Sequence, residues 1–123
     1  MARLQKLYPI SIFVLQFILA MELEIGEEMP GINYPLLGID GKKITLSDIK
    51  GKAGTLVIFS CNTCPWVLKW EDRYVSIASR YSDKGIGIIA LNSNVSRFDG
   101  DDSLNEMAKH AKKNNYNFPY VQD

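Results

Sequence analysis

The chain has 123 residues, the size of one domain, and its 46% apolar and 23% charged composition is that of a globular protein, which argues against disorder. Lys and Arg number 14, as do Asp and Glu, so no net field gathers nucleic acid or anionic lipid, and the partners left are small molecules or proteins. Two cysteines three positions apart close too short a loop to staple a fold, which excludes a disulfide scaffold and leaves a redox pair, half of a metal site or two small apolar residues.

Residues 1–6 carry Arg3 and Lys6 and no acid, and residues 7–21 then run almost wholly apolar. That order is the one a secretory signal peptide has, and fifteen residues is short for a bilayer span. Residues 1–20 are therefore expected to direct export, to the periplasm or the outside, either cleaved after Ala20 or kept as an N-terminal membrane anchor. A start at Met21 would leave the protein cytoplasmic. Export would put the cysteines where disulfides persist. Residues 21–123 are read as the working domain.

Residues 22–30 are polar and acidic and read as loop. Residues 33–39 and 42–46 are short apolar-bearing runs split by Asp40-Gly41, a hairpin signal whose tight turn needs positive φ at both central positions. Residues 47–51 hold one helical turn stopped by Gly51. Residues 55–60 are continuous and rich in β-formers, which predicts a strand buried on both faces, as in a parallel sheet. Val67, Trp70, Tyr74, Ala78 and Tyr81 then recur at three- and four-residue spacing and line one face of a helix to about Lys84, with Gly85 as its cap. Residues 86–91 are a second buried strand. Ser103-Leu104-Asn105-Glu106 has the capping-box pattern of a helix reaching about Asn114, and residues 118–121 begin another strand. A hairpin followed by strand, helix, strand, helix is an α/β fold with a right-handed crossover and parallel central strands.

Cys61 and Cys64 fall at the carboxyl end of the first parallel strand, where the helix begins, the edge at which open α/β sheets place their active sites. The thiolate is the reactive form, and a helix start favours it with unpaired N–H groups and the positive end of the dipole. Cys61, at or before the first turn, is expected to be exposed and to attack; Cys64, one turn later, is expected to be shielded and to resolve the mixed disulfide. Pro65 fits only a first helical turn, where its missing N–H costs nothing, and so pins the helix start to the motif. Filler cysteines are the bland alternative. A zinc site would need two more ligands, and among Cys and His the chain adds only His110.

The run Cys61-Asn62-Thr63-Cys64-Pro65-Trp66-Val67, with the strand before it, resembles the thioredoxin-like redoxins of the peroxiredoxin-like group, of AhpC/TSA type. The likeness extends from about Glu24 to Asp123 and includes Asp40-Gly41-Lys42, Leu46-Ser47-Asp48, Lys50-Gly51-Lys52, Leu91-Asn92-Ser93-Asn94 and Phe118-Pro119-Tyr120. It implies a thioredoxin fold with oxidoreductase or antioxidant chemistry. It also implies a continuation through a cis-proline loop, two more strands and a final helix, so the C-terminal part of that fold is expected to be missing here. A peroxidatic cysteine of the family would align with Cys64, with Thr or Ser three residues earlier and Pro seven earlier; these places hold Cys61 and Val57.

Around the motif, Trp66 is a candidate exposed rim for a protein substrate, and Trp70 reads as core. Glu71 and Asp72 read as solvated or salt-bridged surface groups, with Arg73 a candidate partner; two helical turns, about 11 Å, separate Glu71 from Cys64, too far for direct proton transfer. His110, in a Lys-rich stretch, reads as a solvated helix face, and the acids of residues 99–102 as helix-start charges without the spacing of a calcium loop. The leading functional expectation is an exported thiol–disulfide oxidoreductase acting through Cys61 and Cys64 on protein disulfides or small thiols, with no cofactor, metal or nucleic acid. Three alternatives stand beside it: a thiol peroxidase acting on hydroperoxides, a copper-binding module using the two cysteines and His110, and a partner domain with inert thiols.

Overall fold

In the computed structural model, which describes residues 23–123, the chain ahead of the cysteines forms a hairpin and a single helical turn; the expected signal or anchor segment lies outside the described residues. Strands β1 (Leu36–Gly38) and β2 (Lys43–Ile44) are antiparallel, with Leu36 opposite Ile44. The hairpin is the expected one, but its turn is not the tight two-residue kind. Gly41 takes φ 76°, whereas Asp40 keeps negative φ. Asp40 instead accepts the Lys42 N–H on its carboxylate at 3.1 Å, and a Gly38 N–H to Lys42 C=O bond of 2.8 Å closes the connection. Helix α1 (Leu46–Ile49) follows, its start fixed by a reciprocal Thr45–Asp48 capping box. The Thr45 hydroxyl and N–H hold the Asp48 carboxyl below its usual range.

Next come β3 (Gly54–Phe59), α2 (Pro65–Tyr81), β4 (Ile86–Asn92), α3 (Leu104–Lys113) and β5 (Tyr120–Gln122). They build one sheet of order β2-β1-β5-β4-β3, parallel across β3, β4 and β5 and antiparallel where β5 meets β1. The two crossovers step in the same direction, so right-handedness puts α2 and α3 on one face. Ala90 and Tyr120 pack there with Met107 and Ala111 of α3. Ile89, Leu91 and Val121 point to the other face, onto Leu36 and Leu46.

One expectation about burial is corrected. β4, not β3, is the strand enclosed on both faces: it lies inside the sheet between β3 and β5, with Ala90 packed on α3 and Ile89 and Leu91 packed on Leu36 and Leu46. Among the described residues β3 pairs only with β4, and Phe59 at its end is 70% exposed. Gly85 ends the α2 segment in the left-handed region at φ 80°, after one 3-10 turn, as its place in the sequence predicts. No helix among the described residues is long and apolar enough to cross a membrane.

Candidate active site

Pro65 opens α2 at its first position, so Cys64 becomes the N-cap, and the Leu68 N–H closes the first helical turn on the Cys64 carbonyl at 3.0 Å. The helix start therefore acts on Cys64. The Val67 N–H and then the Trp66 N–H hold its thiol below the ordinary range against the opposing cost of burial, with a smaller contribution from the Cys61 thiol. Both cysteines are free thiols and half-buried, so the expected contrast between an exposed Cys61 and a shielded Cys64 is absent. Pro65 at the first helical position leaves Cys61 three residues ahead of the N-cap, outside the helix, so that the first-turn N–H groups are adjacent to Cys64. The pair opens on a cleft of about 360 Å³ lined also by Phe59 and Asn94, with Val67 and Leu91 among its apolar residues.

The loop between the cysteines is tied to distant parts of the chain. The Asn62 N–H donates to Asp102 Oδ1 at 2.7 Å, its Nδ2 donates to the Asp101 carbonyl at 2.7 Å, and its Oδ1 accepts the Tyr120 hydroxyl at 3.1 Å. Below the loop, burial above all pushes the Tyr116 and Tyr120 phenols well above their usual range, so both remain hydrogen-bond donors at neutral pH. The Ser60 hydroxyl, also buried, has no hydrogen-bond partner of good geometry among the described residues.

Trp66, the candidate exposed rim, is 70% exposed with the Lys69 ammonium over its ring, and it is not among the residues lining the sulfur cleft. Other side chains lie where the sequence did not place them. Trp70 is half exposed rather than core, and Arg73 stacks on its ring at 3.7 Å, which leaves Glu71 to a different partner. The buried stripe of α2 is Val67, Glu71 and Ala78. Glu71 Oε2 meets His110 Nε2 of α3 at 2.6 Å and accepts the Tyr116 hydroxyl at 3.1 Å, with both the Glu71 and His110 side chains largely enclosed. His110 is thus no solvated face. The signal was present in the sequence: Glu71 follows Val67 by four residues and precedes Ala78 by seven, on the helix face that the apolar residues define. Replacing Glu71 with Ala is expected to cost about 3 kcal/mol in urea unfolding, because it leaves His110 and Tyr116 without their shared acceptor; a loss under about 1 kcal/mol, the size of a surface pair, would contradict that role.

Among the described residues no group of three or more His, Cys, Asp and Glu side chains is placed to hold a metal ion. His110, the third ligand of the copper reading, is bonded through Nε2 to Glu71.

Comparison with known proteins agrees with this architecture. A sequence model of the AhpC/TSA family matches residues 25–123. A thiol-disulfide oxidoreductase ResA of Bacillus cereus is 29% identical over 104 residues, 83% of this chain and 53% of that protein; one of Bacillus thuringiensis is 30% identical over the same shares. The chain thus spans about half the length of the curated relatives it matches. Among solved structures, an uncharacterized conserved protein from Geobacillus kaustophilus superposes with a TM-score of 0.72 at 34% identity, covering 84% of this chain and 54% of the other. Xanthomonas campestris peroxiredoxin Q shares the fold at a TM-score of 0.60 and 18% identity, over 76% of this chain and 56% of its own.

Proposed function

The chain belongs to the AhpC/TSA family and has a thioredoxin-like fold, and from that premise we propose that it is a thiol–disulfide oxidoreductase working through the Cys61–Cys64 dithiol. The observation that carries the proposal is Cys64 at the N-cap of α2, its thiol favoured as an anion, with Cys61 one turn away on the same open cleft. The ResA relatives, named as thiol-disulfide oxidoreductases, support it.

In the reaction proposed, the order expected from the sequence is reversed, because the first N–H groups of α2 act on Cys64 and not on Cys61: the Cys64 thiolate attacks one sulfur of a substrate disulfide. A Cys64–substrate bond forms and the other substrate half leaves as a thiolate, which takes up a proton. Cys61, having lost its proton to solvent, then attacks the Cys64 sulfur of the mixed disulfide. The Cys61–Cys64 bond forms, the Cys64–substrate bond breaks, the second half departs as a thiolate that takes up a proton from solvent, and two electrons have passed from the protein dithiol to the substrate. The apolar walls of the cleft suit protein disulfides, with small thiols able to enter as well, and the exposure of Trp66 supports its reading as a rim for a protein substrate. The basic-then-apolar order of residues 1–20 supports exchange outside the cytosol.

Mixing the reduced protein with an excess of oxidised insulin or a small disulfide tests this. One internal Cys61–Cys64 disulfide is expected per chain, read as the loss of two hydrogens by mass and of both alkylatable thiols. A thiol count that stays at two would remove the proposal. A second reading, thiol peroxidase, is favoured by one specific observation: the sulfur with the lowered pKa is Cys64, the position that aligns with a peroxidatic cysteine.

A further inference from the structure

The balance of charge over the whole chain does not extend to α2, where position gathers cations that composition does not reveal. Trp66, Trp70, Arg73, Ile77 and Tyr81 recur at three- and four-residue spacing, so they share one flank of the helix. All three aromatic rings are exposed. A cation sits on each: Lys69 at 5.5 Å from the Trp66 ring centre, Arg73 at 3.7 Å from that of Trp70 and Lys84 at 4.8 Å from that of Tyr81. Arg80 adds a fourth, and with Arg73, two turns away, it lines a cavity of about 240 Å³ beside Ile77.

None of these four cations is joined to a carboxylate among the described residues. The two acids within α2 lie elsewhere: Glu71 is buried against His110, and Asp72 stands about 120° round the helix from Trp66. The opposite flank is the packed one, where Glu71 meets α3 and the Ser79 hydroxyl accepts the Asn117 amide at 2.8 Å. A second copy of the chain does not suit the open flank, because a two-fold contact would set its cations against their own copies. The strip is also narrow. Residues 66–84 run about 27 Å and one flank is about 10 Å wide, so it offers about 300 Å². Each side of a stable protein interface buries roughly 800 Å². A lipid surface sets no such threshold: Trp and Tyr rings seat at the headgroup level, and Lys and Arg meet the phosphates.

We propose that the Trp66–Tyr81 flank of α2 is a docking surface for an anionic lipid membrane, with its rings at the headgroup level and Arg73 and Arg80 on lipid phosphates. Trp66 follows Cys64 by two residues, so docking holds the sulfur cleft at the membrane surface. The proposal does not depend on the thiol chemistry. It agrees with the N-terminal sequence, since fifteen apolar residues are short for a span and a weak anchor becomes stable when a basic patch joins it.

Trp66 and Trp70 are the only tryptophans in the chain, so intrinsic fluorescence reports this flank alone. The test is quenching of the full chain by vesicles of brominated phosphatidylglycerol, compared with brominated phosphatidylcholine. Residues 7–21 carry no tryptophan, so their own insertion leaves the signal untouched. Strong quenching is expected with the anionic lipid and little with the neutral one. High salt is expected to abolish it in the parent chain, which needs no variant to fold. Arg73→Gln with Arg80→Gln is expected to lose most of the quenching, because each basic residue at an anionic surface contributes about fivefold to binding. Equal quenching by the two lipids, or none by either, overturns the proposal. A shift in tryptophan emission with soluble polyglutamate but not with vesicles also overturns it, and assigns the flank to an acidic protein instead.

Discussion

Cys64→Ser is expected to abolish formation of a mixed disulfide with a substrate, by on the order of a thousandfold or more, as removal of an enzymatic nucleophile does. Cys61→Ser is expected to do the opposite at that step. Cys64 still attacks, but nothing resolves the product, so the mixed disulfide accumulates and is seen by mass. Both variants lose turnover. The asymmetry follows from the helix start: the Val67 and Trp66 N–H groups favour the thiolate on Cys64, and a serine hydroxyl at the same place stays protonated. It also sets a pH dependence. Cys64 is lowered, so its attack persists below the pH at which an ordinary cysteine becomes inactive, and it fades only as pH falls through the lowered value. Trapping on Cys61 in the Cys64→Ser chain would reverse the assigned roles while leaving exchange in place. Peroxide consumption that survives Cys61→Ser but not Cys64→Ser would move the chain to the peroxidase reading.

The second large effect is on folding. Gly87→Ala is expected to destabilise the chain by about 4 kcal/mol or more, enough to unfold a domain of ordinary stability. A methyl group at Gly87 would stand 1.8 Å from the Ile49 carbonyl oxygen, and one at Gly51 would stand 2.2 Å from the Gly85 oxygen. Backbone crosses backbone here, where the segment after α1 passes the start of β4, so no side chain is able to swing aside. Gly41→Ala is the contrast. At φ 76° but with open space around it, it is expected to lose only about 1 kcal/mol through backbone strain. Urea unfolding of the two variants separates packing from strain, and a Gly87→Ala chain as stable as the parent would contradict the crossing.

The position of Gly87 bears on the site because β4 is the strand on which both crossovers hang. Its far end carries Leu91, whose carbonyl takes the Ser60 N–H at 2.7 Å just before Cys61. Asn94, two residues past its end, holds Asp102. Displacing the start of β4 would therefore be felt in the register of β3 and in the loop that presents the sulfurs.

Much of this was written locally in the chain. Pro65 after Cys64 fixes where α2 begins, because a residue without an N–H fits only a first turn, and this alone puts the cysteines at a helix start. Gly85 ends that segment, Ser103 caps α3, and the unbroken apolar run of residues 86–91 forms the buried strand, each from the conformational preference of one or a few neighbouring residues. What tertiary structure alone decided is which of these meet. β5 enters between the hairpin and β4, and the antiparallel pairing of residues near 37 and 122 leaves no trace in either segment. Glu71 finds His110 across 39 residues, and Asp102 finds Asn62 across 40. Polar side chains such as these carry no periodic signature of their own. Burial makes them pair, since an unpaired charge out of water is costly, and burial is a property of the assembled sheet and helices rather than of any stretch of sequence.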